Sequence, residues 1–170
     1  MTETHSALQD LVALLDLENA APDLYRGVSP SDRWQRVFGG QVLGQALVAA
    51  TRTIEGRYCH SLHAYFLRPG DPKTPILYRV ERSHDGNSFA SRRVTALQNE
   101  RQIFIMDASF QIHEEGIEHQ LAMPDVKPPE EFRSEREWRL EFADAIPPEL
   151  QEYFLKERPI EIRPLLIGPH

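Results

Sequence analysis

The clearest chemical feature of the sequence is a glycine pair that opens an apolar run from Arg36 to Ala50. Gly39, Gly40 and Gln41 begin a predicted helix, and the first backbone N–H groups of a helix have no partner within it. These N–H groups form an electropositive end that can bind a polarised oxygen such as a carbonyl. Glycines also permit close packing of a helix on a sheet. For this part of the chain taken alone, packing is the favoured interpretation.

Two histidines in one predicted strand are candidates for acid–base chemistry. His60 and His63 are three residues apart, a spacing that in a regular strand places the side chains on opposite faces and argues against a metal-binding pair. The imidazole of His60 can take or give a proton near neutral pH. The favoured alternative for His60 is a core histidine that is hydrogen-bonded to the sheet.

Five arginines on neighbouring predicted strands concentrate positive charge, namely Arg79, Arg82, Arg92, Arg93 and Arg101. Guanidinium groups could bind the phosphates of an anionic ligand. The favoured interpretation is a solvated face on which they pair with Glu81 and Glu100.

Composition and charge restrict the function classes. The 170 residues carry 19 Lys and Arg against 26 Asp and Glu, and the net charge of -7 argues against a nucleic-acid surface or a basic membrane-binding face. The single Cys59 leaves no intramolecular disulfide and no multi-cysteine zinc site, as in a reducing compartment. No apolar segment is long enough to span a membrane, and the first residues lack the positive charge of a signal peptide. We therefore expect a cytoplasmic protein without a multi-cysteine metal site, and without nucleic-acid or membrane partners.

One helix and several strands must position these groups. The helix predicted over about 40–54 is so apolar that only Gln41, Gly44 and Gln45 interrupt it, which indicates burial on nearly every side. The alternation that follows is typical of strands, predicted at 58–67, 76–84, 88–98 and 102–112.

Turn signals connect the later strands. The segments Asp85-Gly86-Asn87 and Gln98-Asn99-Glu100 predict tight turns and hence an antiparallel meander. For Asn87 this turn role is favoured over contact with a ligand. A curved antiparallel sheet around one long buried helix is an α+β arrangement of the hotdog type.

The sequence changes character beyond about His119. Residues 120–158 form a linker with charged helices predicted near 134–142 and 148–156. Residues 159–170 alternate like a strand without a following hairpin partner, so they are expected to be the opening strand of a unit that is absent from this sequence. The expected organisation is a hotdog domain at 1–119, then this linker and this strand.

Several segments together resemble the acyl-CoA thioesterase II family of double-hotdog thioesterases. In chain order they are Leu14 to Glu18, Tyr25 to Gly27, Arg36 to Leu47, His60 to Asp71, Asp85 to Phe89, Ser91 to Val94 and Ala108 to Gln111. The resemblance implies hydrolysis of a fatty acyl-CoA to a free fatty acid and coenzyme A, with the coenzyme A along the sheet and the acyl chain in an apolar tunnel beside the helix. It implies no cofactor.

The family resemblance also suggests site residues. In that family the second repeat supplies an Asp, a Thr or Ser, and a Gln that hold the hydrolytic water, and these motif positions are absent from this sequence. Gln111 resembles the first-repeat counterpart of the catalytic Gln. The counterpart of the Thr or Ser falls at Cys59 or His60, between which the sequence does not decide. The start of the helix offers no carboxylate as a counterpart of the Asp.

The resulting expectation is the N-terminal hotdog of an acyl-CoA thioesterase. Its catalytic candidates are Gln111 and His60, and its substrate-binding candidates are Gly39, Gly40 and Gln41. The chain alone is expected to have weak or absent activity, and to act with a second hotdog repeat or as a homo-oligomer. One alternative is a non-catalytic module that binds acyl-CoA or forms an oligomer interface. Another is a self-sufficient enzyme in which two copies pair through an exposed sheet edge.

Overall fold

The computed structural model describes residues 6–30 and 35–165. They form two compact units, one made of residues 12–116 and the other of the described residues on either side of that range. The first helix, α1 (Ala7–Leu15), begins after Ser6, whose Oγ accepts a hydrogen bond from the Gln9 N–H at 3.3 Å. No helix among the described residues is long and apolar enough to cross a membrane.

An antiparallel sheet forms the larger unit. Its strands are β1 (Glu18–Ala21), β2 (Leu24–Gly27), β3 (Tyr58–Phe66), β4 (Ile76–Asp85), β5 (Phe89–Gln98) and β6 (Arg101–Gln111). Their order in space is β1-β2-β4-β5-β6-β3, so β3 lies at one edge of the described sheet. The predicted meander is confirmed as β4-β5-β6, whereas the short strand β1 was not predicted.

Helix α2 (Gly39–Thr51) packs on one face of this sheet. Small side chains at Ala46, Ala49 and Ala50 are fully buried and let the helix backbone approach the strands closely. On the sheet side the core is formed by Ile76, Tyr78, Val80, Ala90, Val94, Ala96, Phe104, Met106, Ala108 and Phe110. The α+β architecture predicted from the sequence is therefore present.

The burial of α2 differs from the prediction in one respect. The two glutamines that interrupt the apolar pattern, Gln41 and Gln45, are buried, while Leu43, Leu47 and Val48 are only half-buried. Every residue from Gln41 to Ala50 is buried or half-buried, so the predicted buried helix is present, with the glutamines more deeply enclosed than these three aliphatic residues. Gln45 points inward because Tyr78 and two backbone carbonyls supply its hydrogen bonds, which removes the cost of burying an amide.

The smaller unit contains two short helices, α3 (Glu135–Glu141) and α4 (Pro148–Leu155), close to their predicted positions. Ser134 and Glu137 form a capping box at the start of α3. Residues 156–165 form no strand, and the Ile162 carbonyl accepts from the Glu135 N–H at 2.8 Å. The rest of the strand predicted at 159–170 lies outside the described residues, and the predicted domain boundaries stay predictions.

Candidate functional site

The start of α2 lies among aromatic rings. Phe38 occupies the N-cap position with an extended backbone and makes no side-chain cap. A Cβ at Gly39 would lie 3.0 Å from Cε1 of Phe66, and one at Gly40 would lie 2.5 Å from Cε1 of Phe38. A side chain at either glycine would have to displace one of these rings. Phe38 and Phe66 are themselves exposed, so a molecule bound at the helix start would contact an apolar surface.

The third substrate-binding candidate, Gln41, uses its side chain within the fold. Its Nε2 donates to the Val28 carbonyl at 3.1 Å and to Ser29 Oγ at 3.0 Å. These bonds tie the segment after β2 to the first turn of α2. The Gln41 amide NH2 is therefore engaged by the protein itself, which leaves the backbone of Gly39 and Gly40 as the part of this region suited to a carbonyl.

His60 lies in a β-bulge of the edge strand β3. The register shifts between Cys59, which pairs with Phe110 of β6, and Ser61, which pairs with Ser109, so His60 is the extra residue of the bulge. His60 Nε2 is 2.8 Å from Ser109 Oγ, and its ring packs edge-on against Phe89 with centroids 5.9 Å apart. His60 is exposed, so it is hydrogen-bonded to the sheet without being a core residue.

The bulge also changes the relation between the two histidines. Ser61, His63 and Ser109 line a groove of about 510 Å³ on the face of the sheet away from α2, here called the outer face. Since His60 contacts Ser109, His60 and His63 share the outer face, and the predicted placement on opposite faces is wrong. The extra residue of the bulge is the physical reason. Among the described residues, no group of three or more His, Cys, Asp and Glu is arranged to hold a metal ion.

Gln111 lies at the end of β6, next to the bulge. It is opposite Tyr58 of β3 on one side and Phe89 of β5 on the other. The side chain is half-buried, and its Nε2 donates to Glu114 Oε2 at 2.6 Å. Gln111 alternates in phase with Ser109 along β6, so both face outward. The structure thus brings His60, Ser109 and Gln111 to one end of the sheet.

Cys59 and His60, the two sequence alternatives, face in different directions. Cys59 packs against the core, and burial raises the pKa of its thiol. His60 shares the outer face with Gln111. Of the two, His60 is therefore the residue on the same face of the sheet as Gln111.

The start of α2 is at the opposite end of β3. Gly39 lies beside Phe66 at the last residue of β3, whereas Gln111 pairs with Tyr58 at the first. Eight residue steps of about 3.3 Å separate these ends by roughly 26 Å. Within one chain the structure therefore brings together the catalytic candidates, but it does not place them beside the substrate-binding candidates.

The arginines do not form one patch. Arg82 makes a two-pronged ion pair with Asp23, whose pKa it lowers, and Arg93 makes one with Asp107. These exposed pairs confirm the solvated face for two of the five residues, although their partners are not the predicted Glu81 and Glu100.

Arg92 departs from the predicted solvated face because its side chain points into the core and is 2% exposed. The guanidinium donates to Thr53 Oγ1 at 2.8 Å, to the His84 carbonyl at 3.0 Å and to Asp85 Oδ1 at 2.6 Å. It thereby ties the end of α2 to the β4–β5 hairpin. The sequence carries a signal for this inward direction, since Arg92 alternates in phase with the buried residues Ala90, Val94 and Ala96 along β5.

Comparison with known proteins identifies the domain. Residues 30–111 match the model of the acyl-CoA thioesterase N-terminal domain. Acyl-CoA thioesterase 2 of Haemophilus influenzae is 44% identical over 157 residues, covering 92% of this chain and 55% of that protein. Acyl-coenzyme A thioesterase 8 of Homo sapiens is 48% identical over 124 residues, covering 72% of this chain and 39% of that protein. The chain thus spans about half the length, or less, of these relatives.

Solved structures agree with the sequence matches. The tesB protein of Mycobacterium avium subs paratuberculosis superposes with a TM-score of 0.68 at 36% identity, over 74% of this chain and 50% of that one. Acyl-CoA thioesterase II TesB2 of Mycobacterium marinum superposes with a TM-score of 0.64 at 47% identity, over 71% of this chain and 45% of that one. The predicted hotdog fold and the predicted family are confirmed. The chain therefore belongs to the acyl-CoA thioesterase II family, and its residues 30–111 match the N-terminal domain of that family.

Proposed function

We propose that this chain takes part in the hydrolysis of fatty acyl-CoA to free fatty acid and coenzyme A. The observation that carries the proposal is the convergence of His60, Ser109 and Gln111 at one end of a thioesterase-family domain. Hydrolysis of a thioester needs a group that takes a proton from water and donors that stabilise the oxyanion. His60 is the proton acceptor in this proposal, and Gln111 holds the water.

We propose that a second hotdog pairs with the edge strand β3. Antiparallel pairing of β3 with the equivalent strand of a second hotdog, centred on Leu62, would place Phe66 of one domain beside Tyr58 of the other. The start of α2, with Gly39 and Gly40, would then lie at the same end of the paired sheet as His60 and Gln111 of its neighbour, but on the face that carries the helices. Large side chains along β3 are exposed, including Tyr58, Leu62, Tyr65 and Phe66. They support pairing with a second repeat or a second copy.

A thioester-cleavage assay tests the catalytic proposal. The purified chain is assayed with a fatty acyl-CoA, and released thiol is followed with a chromogenic disulfide. His60→Ala and Gln111→Ala should each lower kcat by about a hundredfold, the usual scale for losing an acid–base group or a water-holding group. His63→Ala is the matched control on the same face and should change kcat less than about twofold.

The same assay distinguishes the catalytic proposal from the non-catalytic alternative. The distance between the two groups of candidates within one chain favours a module that binds acyl-CoA without hydrolysing it. Absence of turnover in the wild-type chain, together with retained binding of a non-hydrolysable acyl-CoA thioether, would establish that alternative. Turnover that is insensitive to both substitutions would disprove the assigned roles.

Association through β3 has its own expected result. Leu62→Lys should shift the mass measured by light scattering toward the monomer, because a lysine at an edge strand opposes strand pairing. Leu77→Lys is the control, since Leu77 is similarly exposed, 37% against 40% for Leu62, but belongs to the interior strand β4. An unchanged mass for Leu62→Lys beside an associated wild-type chain would place the interface elsewhere.

We also propose that the protein acts in the cytoplasm. The single cysteine, Cys59, supports a reducing compartment. Its thiol packs against the core rather than forming a disulfide within the chain.

A further inference from the structure

Gln111 can present either of two groups to a water molecule. A glutamine amide has a carbonyl oxygen that accepts hydrogen bonds and an NH2 that donates them, and a rotation of 180° about its last side-chain bond exchanges the two. Only the oxygen can accept a hydrogen bond from water. Such a bond uses a proton of the water and no lone pair, so a lone pair can be directed at a thioester carbonyl. The orientation of this amide therefore matters for the function proposed above.

Glu114 decides that orientation. Its Oε2 lies 2.6 Å from Gln111 Nε2, a short distance typical of a hydrogen bond to a charged group. An ionised carboxylate only accepts hydrogen bonds, so it can face the NH2 of Gln111 but not the carbonyl oxygen. With the NH2 held by Glu114, the carbonyl oxygen is directed away from the carboxylate.

The other oxygen of Glu114 is also held. Oε1 accepts a hydrogen bond from Ser88 Oγ at 3.1 Å. Ser88 is fixed in turn, because its carbonyl accepts from the Ile112 N–H at 3.0 Å. Both carboxylate oxygens therefore have a donor, and the side chain of Glu114 is restrained although it is exposed.

The turn that carries Ser88 is anchored from the start of β3. Arg57 donates to the Gly86 carbonyl at 2.6 Å and to the Asn87 carbonyl at 3.1 Å. Within the turn, the Gly86 N–H donates to the Phe89 carbonyl at 2.8 Å. Phe89 then packs on His60. One chain of contacts therefore connects Arg57, the turn and both catalytic candidates.

We propose that Glu114 is a positioning residue that fixes the Gln111 amide with its carbonyl oxygen free to accept a hydrogen bond from the hydrolytic water. This role rests on the function proposed for Gln111. Glu114 acts only through Gln111 and does not touch the substrate.

The orientation is tested without any activity measurement. The side-chain amide signals of Gln111 are assigned by NMR from their disappearance in Gln111→Ala. In the wild-type chain one Nε2 proton should be shifted downfield and slow to exchange with solvent. Glu114→Gln should abolish that shift, whereas Glu115→Gln, the neighbouring carboxylate, should keep it. Unchanged Gln111 signals in Glu114→Gln would overturn the proposal.

Turnover tests the consequence. Glu114→Gln should lower kcat by about tenfold to a hundredfold, the scale of losing alignment at a reacting centre, with KM changed less than about twofold. The double variant that combines Glu114→Gln with Gln111→Ala should have a kcat no lower than that of Gln111→Ala alone, because Glu114 affects turnover through Gln111. If the reductions in kcat of the two single variants multiply in the double variant, the proposal is overturned. If the wild-type chain has no turnover, the catalytic role of Gln111 fails, and the NMR result still decides whether Glu114 sets the amide.

Discussion

Replacement of Arg92 by Met is expected to lower the free energy of unfolding by about 3 kcal/mol, because acceptors that its buried guanidinium serves are left without that donor. Met fills much of the volume but donates no hydrogen bond. Thr53 Oγ1, the Thr53 carbonyl and the His84 carbonyl would lose the guanidinium as donor. Each buried acceptor left without a partner costs about 1–3 kcal/mol.

The neighbouring arginine is the matched control. Arg93 points outward and pairs with Asp107 in solvent, so Arg93→Met should cost less than about 1 kcal/mol. Urea unfolding of both variants beside the wild type measures the difference. Equal losses for Arg92→Met and Arg93→Met would show that the buried network does not stabilise the fold.

Arg92→Met should also change the response to acid. The hydrogen bond from Arg92 lowers the pKa of Asp85. A carboxyl whose pKa is lower in the folded state stabilises the fold above its unfolded pKa, and this contribution is lost as the pH falls through the folded pKa. The stability difference between wild type and Arg92→Met should therefore shrink as the pH falls below about 4. A difference that stays constant over this range would contradict the assigned cause.

The second large effect is expected at Gln45, the fully buried amide of α2. Its Nε2 donates to the Leu14 carbonyl at 2.7 Å and the Val28 carbonyl at 3.2 Å, and its Oε1 accepts from the Tyr78 hydroxyl at 2.7 Å. Gln45→Leu keeps the approximate size but removes these three bonds and the longer one that Oε1 accepts from Gln41 Nε2 at 3.5 Å. We expect a loss of about 3 kcal/mol or more in urea unfolding, because the groups left behind are buried.

A double-mutant cycle identifies the cause of that loss. Tyr78→Phe removes the hydroxyl that Gln45→Leu would leave without an acceptor. The double variant should therefore be more stable than the sum of the two single losses predicts, with a coupling of about 1 kcal/mol. Burial also raises the pKa of Tyr78, so this hydroxyl stays a donor at neutral pH. Strict additivity would show that packing, not hydrogen bonding, dominates at Gln45.

The sequence predicted the secondary structure well because its signals are local. The turn at Asn99 and Glu100 is one example, since both residues have positive φ, 48° and 64°, as a tight hairpin requires. The apolar alternation of Phe104, Met106, Ala108 and Phe110 along β6 is a signal of the same local kind, and these side chains form part of the core. Such features depend on neighbours within a few residues, and no tertiary contact overrides them.

The features that sequence reasoning missed depend on distant partners. The bulge at His60 arises from pairing of β3 with β6, and nothing in the local pattern shows where an extra residue is placed. The inward direction of Gln45 depends on Tyr78 and on two carbonyls far away in the chain. Glu114 was overlooked because it follows the last strand, where alternation no longer assigns a direction.

The position of β3 in the sheet has a consequence for synthesis of the chain on the ribosome. Its only neighbour in the described sheet is β6, which ends about 45 residues later at Gln111. At about 5–20 residues per second, Tyr65 and Phe66 emerge several seconds before their pairing strand exists. During that time both edges of an aromatic strand are open, so protection of the nascent chain matters most between the appearance of β3 and the completion of β6.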